Sequence, residues 1–325
     1  MASDPAGPGA PVVLVVTGPT AAGKTDVALT LAERRRDTAS PVSLVSMDSA
    51  MVYRGMDIGT AKPSADVLAR YPHALVDVRD PAEPYSAADF VADADAAVRE
   101  ALAAGRLPVL VGGTMLYLRA FREGLADLPP ADPAVRAEIA EEAGRLGWDH
   151  VYRVLERVDP GAAAGIHPGN RVRVERALEV YRTTGRPLSA WWAAQRDTGA
   201  ARRLGVRLVE VAVIPDDRES LRAPIEERFS RMLDAGLVDE VAALRARGDL
   251  SPALPSMRAV GYRQVWSYLE GDGDLDALRA RGAAATRSLA KRQYTWLNRW
   301  SHVHRLAPGP AGELASRIEH LLEFS

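Results

Sequence analysis

The chain has 325 residues, of which 47% are hydrophobic and 26% charged, and its formal net charge is −2. A balance this close to neutral gives no general signal for nucleic-acid binding, so any basic surface must be local. The absence of cysteine excludes disulfides, thiolate metal sites and thiol catalysis. The length suffices for one large domain or two smaller ones, each with an ample core.

Residues 1–11 are mainly small residues, Gly and Pro, without a positive region followed by an apolar core. We therefore expect a disordered tail and not a signal peptide. No apolar run approaches the ~18 residues that a membrane span needs. These features predict a cytoplasmic protein with no membrane partner, and we expect it to be a monomer.

The first predicted strand, Val12–Val16, runs into the pattern G-x-x-x-x-G-K-[ST]. Small residues let backbone N–H groups close around a polyanion, the following helix offers its positive end, and Lys24 adds a point charge. The residues expected to hold a di- or triphosphate are Gly18, Pro19, Thr20, Ala21, Ala22, Gly23, Lys24 and Thr25. We also expect the Thr25 hydroxyl to ligate a Mg²⁺ ion that bridges the phosphates.

Further strands alternate with helical patterns along the chain. The predicted strands are Pro41–Met47, Ala74–Val78, Leu107–Val111 and Arg207–Ile214. This alternation predicts an α/β fold with a P-loop NTPase-like, mostly parallel sheet flanked by helices. Because ligands bind beyond the carboxyl ends of parallel strands, the phosphate loop, Asp48 and Thr114 are expected to meet at one edge.

Asp48 and Thr114 each allow a functional and a structural interpretation. A carboxylate beside a phosphate loop can hold Mg²⁺ through water or accept a proton, but it can also cap a turn. The Thr114 hydroxyl can reach a phosphate or a bridging oxygen, or it can cap the next helix, Met115–Arg122. The polar loop 46–63 after the second strand favours a site at this edge.

The composition changes near Leu128, and residues 131–204 lack strand-like runs. We expect an all-helical insertion domain there, whose clearest helix is Arg171–Tyr181. The catalytic core then comprises residues 12–130 and 205–325. Its C-terminal part is predicted to contain the helices Asp216–Leu233, Leu237–Arg245, Arg258–Glu270 and Asp274–Trp300, and a short strand, His302–Leu306.

The second half of the last long helix combines rows of basic residues with aromatic ones, among them Arg287, Lys291, Arg292 and Trp296. Such rows suit phosphate backbones and splayed single-stranded bases. A charge run is more commonly a solvated helix face, so the residues alone indicate only a P-loop enzyme with an RNA-facing helix as one interpretation.

Several separated stretches resemble one family, the tRNA dimethylallyltransferases. These stretches, in family order, are Gly18–Thr25, Met47–Pro63, Tyr85–Phe90, Leu110–Leu118, Arg176–Val180, Leu254–Gly271 and Ala290–Leu297. The resemblance implies transfer of a dimethylallyl group from dimethylallyl diphosphate to N6 of adenosine 37, with Mg²⁺. The other substrate is a tRNA whose anticodon loop has adenosine at positions 36 and 37. It further implies that Asp48 is the general base and that Thr114 hydrogen-bonds the bridging oxygen of the diphosphate.

The resemblance also implies contacts with the tRNA anticodon stem-loop. The implied residues are Ser49, Ala50, Met51, Arg136, Arg173, Arg176, Arg258, Gly261, Tyr262, Arg263, Lys291, Arg292, Gln293 and Trp296. Val172 and Asn298 depart from the family pattern, as does the stretch His167–Asn170. Two alternatives remain: an ATP-dependent small-molecule kinase on the same P-loop core, and a nucleotide-regulated RNA-binding protein without chemistry.

Overall fold

The structure is a computed structural model that describes residues 9–194 and 198–323. It divides into two compact units, one of Met1–Arg122 with Gly199–Ser325 and the other of Glu123–Thr198. Most of the expected N-terminal tail, residues 1–8, lies outside the described residues. None of the helices in the described part of the chain is long and apolar enough to cross a membrane.

The first unit contains a parallel sheet. Its strands are β1 (Val12–Thr17), β2 (Val42–Ser46), β3 (His73–Ala74), β4 (Leu107–Gly112), β5 (Arg207–Val213) and β6 (His304–Leu306). Their order is β3-β2-β4-β1-β5-β6, and every neighbouring pair is parallel. The predicted α/β fold is confirmed. β1 lies in the middle of the sheet, and it leads directly into the phosphate-loop motif.

Helices connect the strands and cover both faces of the sheet. In chain order they are α1 (Lys24–Arg34), α2 (Ala65–Arg70), α3 (Ala87–Ala103), α4 (Met115–Glu123), α5 (Pro133–Leu146), α6 (Trp148–Val158), α7 (Pro160–Gly165), α8 (Arg171–Thr184), α9 (Leu188–Ala193), α10 (Ala200–Leu204), α11 (Arg222–Asp234), α12 (Leu237–Ala246), α13 (Tyr262–Leu269), α14 (Leu275–Asn298) and α15 (Ala311–Glu323). Helices α5 to α9 make up the second unit, where they enclose an apolar core of their own.

The side chains of β1 alternate between two apolar cores. Val13 and Val15 belong to the larger core, which includes residues of α3, α4, α12 and α13. Leu14 and Val16 point to the opposite face and pack with α1 and α15. Because successive strand residues face opposite sides, a strand covered on both sides must be apolar throughout. This explains why β1 reads as a continuous apolar run.

The predicted strand Ala74–Val78 is wrong beyond its first residue. Leu75 and Asp77 have φ angles of 65° and 56°, in the left-handed region that no strand can accommodate. The chain instead turns, and Lys62 binds the Asp77 carboxylate at 2.6 Å. Similarly, α13 begins at Tyr262 and not at Arg258, because Gly261 has a φ of 95°.

The bounds of the helical insertion also differ from the expected 131–204. The helical unit runs from Glu123 to Thr198, and α10 belongs to the sheet-containing unit. There α10 packs against α3 and β5, and Arg203 forms an ion pair with the buried Asp95 at 2.5 Å. A long-range ion pair of this kind cannot be read from helical periodicity.

Candidate active site

The phosphate-loop motif forms a tight turn between β1 and α1 at the carboxyl edge of the sheet. Gly18 has a φ of 151°, and a Cβ atom there would collide with the carbonyl oxygen of Val213 on β5. Gly23 precedes the first residue of α1 with a φ of 83°. The amino end of α1 therefore points its free N–H groups into the space beyond β1, as an anion site requires.

Two cations lie at this edge, Lys24 and Arg228. Nζ of Lys24 donates to the carbonyl oxygen of Pro19 at 2.7 Å. Burial and, to a smaller extent, the positive charge of Arg228 lower the pKa of Lys24 to about 8, while Asp48 acts in the opposite direction. Burial also lowers the pKa of Arg228, and Asp48 again opposes it. Two desolvated cations in one cavity, of which Arg228 disfavours the charge of Lys24, indicate a site for a polyanion.

Arg228 was not among the sequence-predicted site residues. It follows Ile225 by three residues and precedes Met232 by four, so it interrupts the apolar face of α11. All three residues line the same cavity. The sequence signal that could have identified Arg228 is a cation within an otherwise apolar helical stripe. Such a residue is seldom placed there without a partner or a ligand.

Asp48 lies just after the carboxyl end of β2, as the sequence predicts. Its Oδ1 accepts hydrogen bonds from the backbone N–H groups of Ala50 at 2.8 Å and Met51 at 3.3 Å. These bonds fix the orientation of the carboxylate. Its Oδ2 has no hydrogen-bond partner among the described residues. One oxygen of Asp48 thus caps the turn, while the other can accept a proton.

Thr114 lies next to Asp48 because the ends of β2 and β4 are pressed together. A Cβ atom at Gly112 would collide with the backbone of Met47. The Thr114 N–H donates to the carbonyl oxygen of Met47 at 3.3 Å, and its Oγ1 accepts from the N–H of Ser49 at 3.0 Å. A two-glycine strand end therefore places a hydroxyl beside the carboxylate.

These groups share one cavity of about 520 Å³ in the first unit. The sequence-predicted residues that line it are Thr20, Lys24, Thr25, Asp48, Ser49, Ala50, Met51, Thr114, Arg258, Gly261, Arg292, Gln293 and Trp296. Of the phosphate loop, Gly18, Pro19, Ala21, Ala22 and Gly23 are not part of the lining, so they shape the loop from outside the cavity.

The four cations expected at the tRNA interface of this unit are all exposed. Arg258, Arg263, Lys291 and Arg292 are exposed, and no described residue forms an ion pair with any of them. Two of them, Arg258 and Arg292, also line the cavity. Four cations without a carboxylate partner among the described residues therefore lie at the cavity or on neighbouring helix surfaces.

Tyr262 and Gln293 are placed differently from their exposed neighbours. The Tyr262 side chain is 0% exposed, and its hydroxyl donates to Glu240 at 2.5 Å, so it offers no surface that RNA can contact. Glu240 also accepts the backbone N–H groups of residues 57, 58 and 59 and so holds the loop after β2. Gln293 is 7% exposed, and its side-chain amide forms hydrogen bonds with the backbone of Thr20 and Gly113.

In the second unit, Arg136 and Arg176 bind one buried carboxylate, Glu179. Nε of Arg136 lies 2.9 Å from Oε1, and Nη1 of Arg176 lies 2.7 Å from Oε2. Burial alone would raise the pKa of Glu179, but the hydrogen bonds from the two arginines and from the backbone N–H of Asp132 together outweigh it and hold the pKa below its usual value. Arg173 and Val172 are exposed on the same helix, α8.

The described residues contain no group of three or more His, Cys, Asp or Glu side chains that could hold a metal ion. A cation in the cavity would therefore depend on substrate oxygens. Thr25 lines the cavity at the first turn of α1, and one hydroxyl combined with diphosphate oxygens and water suits Mg²⁺, which rarely uses an all-protein cage.

The fold and the site together define a parallel α/β protein with a loop suited to a polyanion at the carboxyl edge of its sheet, beside a carboxylate. A family model described as IPP transferase matches residues 51–300. The tRNA dimethylallyltransferase 2 of Hahella chejuensis is 51% identical over 306 residues, which cover 91% of each chain. A tRNA dimethylallyltransferase of Chromohalobacter salexigens is 54% identical over 294 residues, which cover 90% of this chain and 91% of the relative.

Among solved structures, the full-length tRNA isopentenylpyrophosphate transferase of Bacillus halodurans has a TM-score of 0.67 at 34% sequence identity. The alignment covers 96% of this chain and 95% of that one. The chain belongs to the tRNA dimethylallyltransferase family, and the resemblance inferred from the sequence motifs is confirmed.

Proposed function

We propose that this protein transfers a dimethylallyl group from dimethylallyl diphosphate to N6 of adenosine 37 in tRNAs with adenosine at positions 36 and 37. The observation that carries the proposal is the shared cavity, which is lined by Lys24 and Arg228 as well as by Asp48 and Thr114. A polyanion site and a proton acceptor in one cavity are what this transfer requires.

Adenine N6 is a poor nucleophile, because its lone pair is delocalised into the ring. In the proposed step, N6 forms a bond to the allylic carbon while the bond from that carbon to the bridging oxygen breaks. The electron pair of the broken bond leaves with the diphosphate, and the N6 proton passes to Oδ2 of Asp48. The two amide bonds to Oδ1 hold the carboxylate in place for this transfer.

Charge develops on the diphosphate as the bond breaks. Lys24, Arg228 and the amino end of α1 stabilise that charge, and the Thr114 hydroxyl donates to the bridging oxygen. The preferred metal is Mg²⁺, for which Thr25 would be the protein ligand. When bound, it supplies further positive charge to the phosphate oxygens.

The tRNA must present adenosine 37 outside its base stack, as other base-modifying enzymes require. We propose that Arg258, Arg263, Lys291 and Arg292 bind phosphates of the anticodon stem-loop and that Trp296 stacks on a base. In the helical unit, we propose that the exposed Arg173 also binds a phosphate of the stem-loop. In this assignment, residues 12–122 and 199–323 are the catalytic core. The cytoplasm is the compartment that a tRNA substrate implies.

The decisive experiment offers labelled dimethylallyl diphosphate and labelled ATP together to the enzyme with an anticodon stem-loop that contains both adenosines. The expected result is one labelled prenyl group on adenosine 37 and none on a stem-loop with guanosine at that position. Transfer of phosphate from ATP to any acceptor, without prenyl transfer, would replace the proposal with a kinase. RNA binding with neither transfer would leave only an RNA-binding protein.

A further inference from the structure

Gln293 connects three parts of the chain that are far apart in sequence. It lies on α14, and its Oε1 accepts a hydrogen bond from the backbone N–H of Thr20 in the phosphate loop at 2.9 Å. Its Nε2 donates to the carbonyl oxygen of Gly113 at 2.8 Å, directly before Thr114. Both ends of one buried amide are therefore used, one on each wall of the candidate active site.

The packing around this amide leaves little freedom. A Cβ atom at Gly113 would lie 2.5 Å from Nε2 of Gln293 and 3.1 Å from the carbonyl oxygen of Gly18. The strand end before Thr114 therefore touches both the phosphate loop and Gln293. Because Thr114 is also bonded to Met47 and Ser49, the position of Gly113 is linked to the loop that carries Asp48.

The primary amide of Gln293 fits this position, and few other side chains would. The amide oxygen accepts from Thr20 and the amide nitrogen donates to Gly113, and both atoms stand at the same distance along the side chain. A carboxylate would face the Gly113 carbonyl oxygen with a second acceptor and add negative charge beside a diphosphate site. A lysine would offer donors only, and an asparagine is one methylene shorter.

Three side chains near Gln293 on α14 reach the protein surface or the cavity. Lys291 and Arg292 are exposed, and Arg292 and Trp296 line the cavity. Helix α14 thus bears these cations and also Gln293. Among the described residues, Gln293 is the one side chain that hydrogen-bonds both to the phosphate loop and to the strand end before Thr114. A shift of α14 would act on both walls of the site through one amide.

We propose that Gln293 is a positioning residue that sets the spacing between the phosphate loop and Thr114, and that it does not contact tRNA. This rests on the proposed function, in which the diphosphate must sit with its bridging oxygen at the Thr114 hydroxyl. Since rate depends steeply on such alignment, a change of spacing lowers turnover more than it lowers substrate binding.

The test compares Gln293→Met with wild type. Methionine keeps the length and volume of the side chain but removes both hydrogen bonds. We expect kcat for prenyl transfer to fall about tenfold to a hundredfold. We expect the affinity for inorganic pyrophosphate, measured by calorimetry without tRNA, to fall severalfold, while the Kd for the stem-loop stays within about twofold.

Two matched variants complete the experiment. Ser288→Ala, on the exposed side of the same helix, should leave all three quantities unchanged. Gln293→Glu keeps the acceptor for Thr20 and the shape of the side chain, and it provides the same readouts if the methionine variant folds poorly. It should lower kcat and pyrophosphate affinity at least as strongly, because its charge opposes the diphosphate.

Weaker stem-loop binding with normal kcat and pyrophosphate affinity would overturn the proposal and make Gln293 a tRNA contact. Unchanged values of all three quantities would also overturn it. A uniform loss in all three, together with a lower unfolding temperature, would mean that the amide only stabilises the fold. Pyrophosphate binding needs no prenyl transfer, so a wild type that binds pyrophosphate but transfers nothing would refute the proposed function and not this inference.

Discussion

Helices α8 and α14 both carry closely spaced basic residues, yet the fold pairs Arg176 of α8 with a buried carboxylate and leaves Lys291 and Arg292 of α14 without one among the described residues. On α8, Arg176 shares the buried Glu179 with Arg136 of α5. On α14, Lys291 and Arg292 are exposed, and no described residue forms an ion pair with either. The same residue types therefore stabilise the helical unit at Arg176 and remain available to a ligand at Lys291 and Arg292.

The comparison teaches where to look for function among charged residues. A cation whose charge is neutralised by a buried carboxylate contributes to stability, and its removal leaves that carboxylate unpaired. A cation that the fold leaves unpaired adds to the local positive potential and can attract a polyanion. Lys24 and Arg228 are of the second kind, and Asp48 is their counterpart with a free oxygen.

The largest effect is expected from Asp48→Asn. The asparagine keeps the oxygen that caps the turn but cannot accept a proton, so we expect kcat for prenyl transfer to fall by about 10²–10⁴. The Kd for the stem-loop, measured by fluorescence anisotropy, should change less than about threefold. Near-normal turnover in this variant would remove Asp48 as the base.

Next in size is the loss of the buried carboxylate of α8. Glu179→Ala removes the buried carboxylate that Arg136 and Arg176 share. The expected loss is about 2–3 kcal/mol of unfolding free energy, less than for a fully buried pair because both arginines keep contact with water. Urea unfolding measures it, and Arg292→Ala on α14 serves as the control, with an expected change within about 0.5 kcal/mol. Equal effects of the two variants would abolish the distinction between the helices.

The pH dependence of the same variant provides a second check. Because the folded-state pKa of Glu179 lies below its ordinary value, its stabilisation is present at neutral pH and is lost as the pH falls through the folded-state pKa. The stability difference between wild type and Glu179→Ala should therefore narrow in acid. A difference that widens in acid would mean that the arginines do not hold the ionised carboxylate.

A smaller effect should follow from reversing the free charges of α14. The double variant Lys291→Glu, Arg292→Glu is expected to weaken stem-loop binding by about tenfold or more at low salt and to flatten its salt dependence. Arg287 on the same helix is paired with Glu226 at 2.7 Å, so Arg287→Gln should change the affinity by about twofold or less. If both variants weakened binding equally, pairing would not predict which cations meet RNA.

The smallest effect concerns Lys24. With a pKa of about 8, its ammonium loses its proton as the pH rises through that value, and pyrophosphate binding should weaken there. Arginine stays charged, so the affinity of wild type relative to Lys24→Arg should fall up to about tenfold between pH ~7 and ~9. The titration of pyrophosphate itself cancels in this ratio. A ratio independent of pH would place the Lys24 charge outside the anion site.

Much of the site could be predicted from the sequence. Three features of the site are local: the apolar run of β1, the glycines of the phosphate loop, and the positions of Asp48 and Thr114 after their strands. Local features depend on short stretches of sequence and can be recognised there. Because parallel strands end at one edge, their terminal residues converge without further information. The predicted α/β fold follows from these features, whereas the family follows from the resemblance of the separated motif stretches; both are confirmed.

Tertiary structure alone decided which polar side chains are buried and hydrogen-bonded within the protein. Tyr262 and Gln293 stand among exposed arginines and lysines in sequence, yet Tyr262 is buried against Glu240 and Gln293 against Thr20 and Gly113. Likewise, Arg228 joins the site only because α11 packs beside the phosphate loop. The partners in these contacts lie between 22 and 273 residues away in the chain, at distances that no local pattern encodes. Local order is determined by neighbours in sequence, whereas pairing of charges and amides is determined by neighbours in space.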